Sequence, residues 1–329
     1  MNFKTALYFL AISLVFFMGC KGDAPTTPTS NTKPKKVNVP PFDGDGAMAY
    51  VEKQVSFGYR VPGMESHKAC KDWLVSEFKA LGAEVKVQEF KASFFDVKDA
   101  EAYNIIASIN PKKKNRIALA AHWDTRLIAD KDNTDKNKPI DGADDGASGV
   151  AVLLQIAKTL KENPIDLGVD FFLWDAEDNG IDTEEGEESQ ADTWCLGSQY
   201  WVKNKHDEDY KAKFGILLDM VGAKGARFPL EGISAQVAGV YQAKIWGLAQ
   251  QMGYGDLFQS VKAGSITDDH LHMYYGKIPT VNIINLPTET FGHYHHTHDD
   301  NLENIDKNVM RKVGQVVTAV LYRESNNTF

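Results

Sequence analysis

The chain has 329 residues, with 36 Lys and Arg against 45 Asp and Glu and a formal net charge of −9. With 43% hydrophobic and 25% charged residues it has the balance of a folded globular protein, which excludes a disordered chain, a collagen-like repeat and a multi-span membrane protein. The acidic balance also argues against a nucleic-acid backbone as main partner, because that role needs a basic face.

Lys4 precedes an apolar run from Ala6 to Phe17 that ends at Met18-Gly19-Cys20. The run is too short to span a bilayer, and its layout is that of a secretory signal. Phe17-Met18-Gly19-Cys20 resembles a bacterial lipobox, in which the Cys thiol takes a diacylglycerol; an ordinary cleaved signal with an incidental Cys is the alternative. Residues 1–20 therefore read as a lipoprotein signal peptide, with Cys20 as the lipid attachment point. The implied location is the bacterial cell envelope, on a bilayer, periplasmic or at the surface. Residues 21–41, rich in Thr, Pro, Lys, Asn and Ser, read as a disordered tether. Residues 42–329 show no internal repeat and no second linker, so they read as a single α/β domain. Cys70 and Cys195 remain, and an exported protein can pair them or leave them free.

Strand-like runs are Glu84–Phe90, Tyr103–Ile109, Arg116–Ala121, Val169–Trp174, Phe214–Leu218 and Pro279–Ile284. The last four lack a clean polar alternation, as strands covered on both faces do. Helical patterns cover Gly146–Leu160, Gln242–Met252 and Lys307–Arg323. This alternation predicts an open, mostly parallel twisted sheet with helices on both faces. No helix separates the first two runs, which predicts an antiparallel hairpin at one edge.

Polar residues then collect behind the strands. Arg116–Ala121 is followed by His122-Trp123-Asp124, Val169–Trp174 by Asp175-Ala176-Glu177-Asp178, and Phe214–Leu218 by Asp219; Pro279–Ile284 leads into the loop bearing His296. Ligands of open α/β sheets bind at that carboxyl edge. There is no His-Glu-x-x-His helix, Gly-x-Ser-x-Gly elbow, phosphate-binding loop or Cys-x-x-Cys pair, and Ser148 falls at a predicted helix start. Carboxylates with histidine and no thiolate pair suit a catalytic zinc with an open position. The acidic stretch Asp182–Asp192 reads as a solvated loop rather than a calcium site.

His122-Trp123-Asp124, Gly142-Ala143-Asp144-Asp145-Gly146-Ala147-Ser148-Gly149, Glu177-Asp178, Leu218-Asp219-Met220 and His296-Thr297 resemble the M28 zinc exopeptidase clan in order and spacing. Within it the chain looks most like the glutaminyl-peptide cyclotransferases. That match is carried by the stretches 217–223, 266–270 and 296–301, and for the bacterial members by 122–126 and 194–201. The resemblance implies one zinc per chain held by Asp145, Asp178 and His296, with Glu177 as general acid/base and Asp219 and Asp268 beside it. Asp268 is the most diagnostic, because the peptidases have a small hydroxyl residue there. Of the four histidines in 292–298, His296 alone has the downstream Thr and acid.

The family ligand at position 178 is usually Glu. The animal enzymes have Trp where this chain has His295, another Trp near Asn179–Thr183, and His where it has Asn282. Other aromatics must then wall the pocket, with Trp194, Phe291 and Tyr294 as candidates. Five carboxylates around one zinc cannot all ionise, so Asp219 and Asp268 are expected to share a proton in a hydrogen bond.

The implied activity is cyclisation of the N-terminal Gln of peptides and proteins to pyroglutamate, with release of ammonia. The alternative is an aminopeptidase of the same fold, with a second zinc on His122, Asp145 and Asp219. A non-catalytic binding lipoprotein is a third reading, which the intact Glu177-Asp178 pair disfavours.

Overall fold

The computed structural model describes residues 37–182, 190–287 and 290–329. The signal-like run, Cys20, the tether up to residue 36 and residues 183–189 of the acidic stretch lie outside the described residues. The tether reading ends early: Val37 and Val39 pack against the core, and Phe42 is buried in it. The Phe42 N–H donates to Gln315 Oε1 (2.8 Å) and Gln315 Nε2 to the Pro40 carbonyl (3.0 Å), while Gly314 leaves room for the Phe42 ring. Three apolar side chains in six residues outweigh the polar, Pro-rich composition around them.

Helix α1 (Gly44–Val55) follows, with the Asp43 carboxylate accepting from the Gly46 N–H at its start, and then α2 (Glu65–Ala80). Neither is among the helices expected from the sequence, although both carry apolar residues at helical spacing: Ala47, Val51 and Val55 in α1, and Cys70, Trp73, Leu74 and Phe78 in α2. The buried stripe of α1 ends on Gln54, whose amide donates to the Ala147 carbonyl at 3.0 Å. That of α2 runs His67, Cys70, Leu74, Phe78. Gln54 and His67 are the polar members of these stripes, held in place by tertiary hydrogen bonds.

The remaining elements are β1 (Glu84–Phe94), β2 (Val97–Ile109), β3 (Arg116–His122), α3 (Ala147–Glu162), β4 (Gly168–Trp174), α4 (Leu196–Lys203), β5 (Gly215–Asp219), β6 (Phe228–Leu230), α5 (Gly232–Val237), α6 (Gly239–Gln251), β7 (Phe258–Lys262), α7 (Asp269–Tyr275), β8 (Thr280–Ile284) and α8 (Lys307–Ser325). The main sheet has the order β1-β2-β4-β3-β5-β8, and β6 and β7 form a small parallel pair. Strands β4, β3, β5 and β8 are parallel; β1 and β2 form the antiparallel edge hairpin, as the sequence predicts.

Every residue of β3, β4 and β8 is buried, which explains why they are mostly apolar without a regular polar alternation. Ile117, Leu119 and Ala121 of β3, with Phe171 and Leu173 of β4, face the core shared with α1, α2, α3, α6 and α8. Their neighbours Ala118, Ala120, Phe172 and Trp174 face Trp201 of α4 and Met273 of α7. Helices therefore cover both faces, and the period of two sends alternate side chains to opposite layers. One contact sets the spacing of the site. A Cβ on Gly149 would lie 2.4 Å from the Leu218 carbonyl, so only glycine lets α3 approach the end of β5 closely enough to bring Asp145 beside Asp219. Among the described residues no helix is long and apolar enough to cross a membrane.

Candidate active site

Four strands end at one edge of the sheet. There β3 delivers His122 and β5 Asp219; the turn after β4 carries Glu177 and Asp178, and the turn before α3 carries Asp145. Asp268 caps α7, and the loop after β8 brings Phe291, His295 and His296. A cavity of about 290 Å³ opens there, and Asp145, Glu177, Asp178, Asp219, Asp268 and His296 all line it.

His296 Nε2 lies 2.9 Å from Asp178 Oδ1 and 3.9 Å from Asp145 Oδ2. His122 Nε2 lies 3.0 Å from Asp145 Oδ1 and 3.3 Å from Asp219 Oδ1, and its Nδ1 is 3.9 Å from Glu177 Oε2.

These positions rest on unusual backbone. Ala176, Cys195, Met220 and His296 all have positive φ (53°, 57°, 50° and 59°) without being glycine, each in or beside the site. Such residues cost of order 1–3 kcal/mol each and persist only where surrounding contacts hold them. Buried carboxylates supply those contacts. Asp124 accepts from the N–H groups of Glu177 (3.0 Å) and Asp178 (3.3 Å), and Asp300 from those of Asp144 (2.8 Å) and Asp145 (3.1 Å). Asp144 in turn accepts from the Gly222 N–H (2.6 Å) and the Tyr294 hydroxyl (2.5 Å). The sequence reading assigns these three acids no role, although each lies inside or directly beside a motif it quotes.

Burial dominates the electrostatics. It pushes the Glu177 carboxyl well above the usual carboxylate range, against the nearby His122, with Asp268 adding to the rise. It lifts Asp178 and Asp268, and raises Asp219 to about 8 despite His122. Asp145 is the exception: His122 outweighs its burial and holds it low. Burial opposes charge on His122, but Asp124, Asp145 and Asp219 outweigh it and raise the imidazole well above its ordinary value. The cavity thus gathers more buried negative charge than its histidines balance. Asp145 Oδ2, Asp178 Oδ2 and Asp219 Oδ1 are buried without a hydrogen-bond partner. Orphaned carboxylate oxygens beside an imidazole are the donor set a divalent zinc takes, with N and O ligands and an open position. The residues present fit such an ion.

Besides His122, two adjacent histidines, His295 and His296, stand near Asp145 Oδ2, and proton placement separates them. Asp145, His295 and His296 each offer one atom within 4.8 Å of the others. Lys131 Nζ lies 3.2 Å from His295 Nδ1. An ammonium only donates, so this contact favours the tautomer with the lone pair on Nδ1 and the proton on Nε2, which then offers a metal no lone pair. His296 is the reverse case. Its Nδ1 faces Asp130 Oδ1 at 3.5 Å, and Arg126 grips both oxygens of Asp130 (2.9 and 2.8 Å). Nε2 lies 2.9 Å from Asp178 Oδ1, so a cation held between them would take the Nε2 lone pair and leave the ring proton on Nδ1, where Asp130 is the carboxylate that faces it. Arg126 and Asp130 are absent from the sequence reading as site residues; only their packing behind His296 reveals them.

Of the three candidate pocket aromatics, Trp194 and Phe291 line the cavity and Tyr294 does not. Trp194 lies parallel to His296 at 5.9 Å, in space that a side chain on Gly180 would fill, and Phe291 stacks on His295 at 4.1 Å. Tyr294 is turned inward because its hydroxyl satisfies the buried Asp144 carboxylate and accepts from Asn285 Nδ2 (2.9 Å). The expected hydrogen bond between Asp219 and Asp268 is also absent among the described residues. Asp268 instead accepts from its neighbour's N–H (Asp269, 2.5 Å) and from Asn282 Nδ2 (2.6 Å), while Asp219 Oδ1 faces His122. Asn282 supplies the neutral donor that a shared proton was expected to provide. The cavity also takes in Lys131, which no sequence signal marks, and Met220 and Ile266, which lie inside the quoted motifs without an assigned role.

The model of "Peptidase family M28" matches residues 104–321. A crystal structure of Bacteroides thetaiotaomicron glutaminyl cyclase bound to N-acetylhistamine is 44% identical, covering 87% of this chain and 99% of that one, with a TM-score of 0.83. The glutaminyl-peptide cyclotransferase of Drosophila melanogaster is 25% identical over 274 residues, 75% of this chain and 72% of the fly protein. Aminopeptidase YwaD of Bacillus subtilis is 28% identical over 228 residues, 67% of this chain but only 44% of that enzyme's length. The chain belongs to peptidase family M28 and, within it, groups with the bacterial glutaminyl cyclases.

Proposed function

We propose that this protein cyclises the N-terminal Gln of peptides and proteins to pyroglutamate, releasing ammonia, with one zinc per chain. The observation that carries this reading is the 44% identity to a glutaminyl cyclase across 99% of that chain. The buried acid Asp268, fixed beside Glu177 by Asn282, supports it from this chain's own residues.

Asp145, Asp178 and His296 would hold the zinc, which supplies Lewis-acid polarisation of a carbonyl and stabilises oxyanion charge when bound. Glu177 takes a proton from the substrate α-amine as that nitrogen bonds to the side-chain amide carbon. The same carboxyl returns the proton to the departing nitrogen as the carbon–nitrogen bond breaks, so ammonia leaves and Glu177 is restored. Burial raises the proton affinity of Glu177, as a group that must both take and return a proton near neutral pH requires. Trp194 and Phe291 wall the cavity and limit water. Water is not consumed, and attack within one substrate molecule supplies much of the acceleration.

A second reading has one specific support. His122, Asp145 and Asp219 each offer an atom within 4.8 Å of the others, and both ring nitrogens of His122 lack a hydrogen-bond partner. That trio would hold a second metal in an aminopeptidase. Incubating the zinc-loaded protein with Gln-peptides and with Leu-peptides separates the two, with products read by mass and metal by elemental analysis. One zinc per chain, ammonia from the Gln-peptides and no free leucine are expected. Two zinc ions with free leucine would sink the cyclase reading.

We infer further that the protein is exported and held on a membrane of the bacterial envelope through acylated Cys20. Lys4, the apolar run and Gly19-Cys20 support this. Cys20→Ser should abolish labelling by a fatty-acid analogue and release the protein from the membrane fraction; a labelled variant would overturn the assignment.

A further inference from the structure

We propose that Cys195 is a positioning residue whose thiol donates a hydrogen bond to Glu177 Oε1 and so sets the direction of that carboxylate in the cavity. The proposal rests on the reading of Glu177 as the acid/base. Sγ lies 3.2 Å from Oε1, and Cys195 is fully buried.

The backbone around this contact is built to hold it. The N–H groups of Cys195, Leu196 and Gly197 donate to the carbonyls of Glu177 (3.1 Å), Ala176 (3.0 Å) and Asp175 (3.0 Å). The first residues of α4 thus grip the turn that carries Glu177, using N–H groups that a helix start leaves without internal partners. A Cβ on Gly197 would lie 2.3 Å from both the Asp175 carbonyl and Asn104 Oδ1, so the helix is pressed directly onto the turn. Cys195 itself sits at φ 57°, ψ 37°, a left-handed conformation that side-chain-bearing residues rarely adopt. Ala176, on the opposite side of the same contact, has φ 53°. The two left-handed residues turn the Cys195 side chain and the Glu177 side chain toward each other.

The contact divides the work of the carboxylate. Oε1 accepts the hydrogen bond from the thiol, while Oε2 lies 3.9 Å from His122 Nδ1. Burial raises the thiol's pKa well above the ordinary value, and the neighbouring acids raise it further, so sulfur keeps the proton it donates. Cys70 and Cys195 are both free, which leaves the thiol available for this role.

The test uses the zinc-loaded full chain. Cys195→Ala should lower kcat on a Gln-peptide by about tenfold, because a freed carboxylate loses its alignment, with KM and zinc content within about twofold. Cys195→Ser keeps a donor and should recover most of kcat. In infrared difference spectra, the S–H stretching band missing from Cys195→Ala should move to higher frequency in Glu177→Gln, where the acceptor is weaker. An unchanged kcat in Cys195→Ala, a Ser variant as slow as Ala, or a band that ignores Glu177→Gln would each overturn the proposal. Should Cys195→Ala fail to fold, the response of the wild-type band to Glu177→Gln still decides. Normal turnover in Glu177→Gln would instead sink the acid/base reading, and the band reports the contact independently of that result.

Discussion

Replacing Glu177 with Gln should lower turnover of an N-terminal Gln peptide by about 10²–10⁴-fold while leaving zinc content unchanged. The substitution keeps the side chain's size and leaves its backbone anchors in place. The N–H of residue 177 still donates to Asp124 at 3.0 Å, and its carbonyl still accepts from the Cys195 N–H at 3.1 Å. The amide oxygen can still accept from the Cys195 thiol. What disappears is the proton acceptor. Burial has raised the proton affinity of that carboxyl toward the range where it can take a proton from an amine and return it, and an amide has no such function. Asp145, Asp178 and His296 are untouched, so elemental analysis should read the same metal in both proteins. Near-normal turnover with full zinc would move the acid/base role to Asp219 or Asp268, which line the same cavity.

The edge of the sheet that carries these groups is legible in the sequence because the parallel strands are buried on both faces. Their runs are mostly apolar, with Asp170 in β4 and Asn282 in β8 as buried exceptions, and a polar residue at the end of β3, β4 and β5 marks where the strand leaves the core. His122, Asp175 and Asp219 stand at those breaks. The role of an individual acid is far less legible. Asp144 and Asp145 are neighbours of identical type, yet Asp144 accepts from the Gly222 N–H and the Tyr294 hydroxyl, while Asp145 faces His122 and His296. Nothing local distinguishes a carboxylate that pins backbone from one that faces a cavity, because the difference lies in which distant N–H groups fold onto it. The same limit hides the inward turn of Tyr294 and the pairing of Asp268 with Asn282. It also hides the burial of Gln54 in α1 and His67 in α2. His67 is stacked 4.3 Å from Trp123 and held by Asp175 at 2.9 Å, a core role that an imidazole takes only when both partners are in place.

Removing the imidazoles at 295 and 296 one at a time should give opposite metal outcomes, although the two rings are stacked only 3.7 Å apart. His296→Ala removes the lone pair that faces Asp145 and Asp178, and zinc affinity should fall by more than the roughly 10–100-fold typical of losing an outer-shell partner. Activity should fall with it and should not return at zinc levels that saturate the wild type. His295→Ala removes a ring whose Nε2 carries a proton because Lys131 occupies Nδ1, so zinc affinity should stay within about tenfold. Its cost should appear in the substrate pocket, since Phe291 loses the ring it stacks on at 4.1 Å. Asp130→Asn should fall between the two, because the amide does not draw the proton onto His296 Nδ1 as a carboxylate does. Zinc titrations against a competing chelator order the three variants. A His295→Ala protein stripped of zinc, beside a His296→Ala protein that retains it, would reverse the assignment. The proton positions set by Lys131 and Asp130 would then have to differ from those deduced above, because the same imidazole is a ligand or a donor according to which nitrogen its neighbours leave bare.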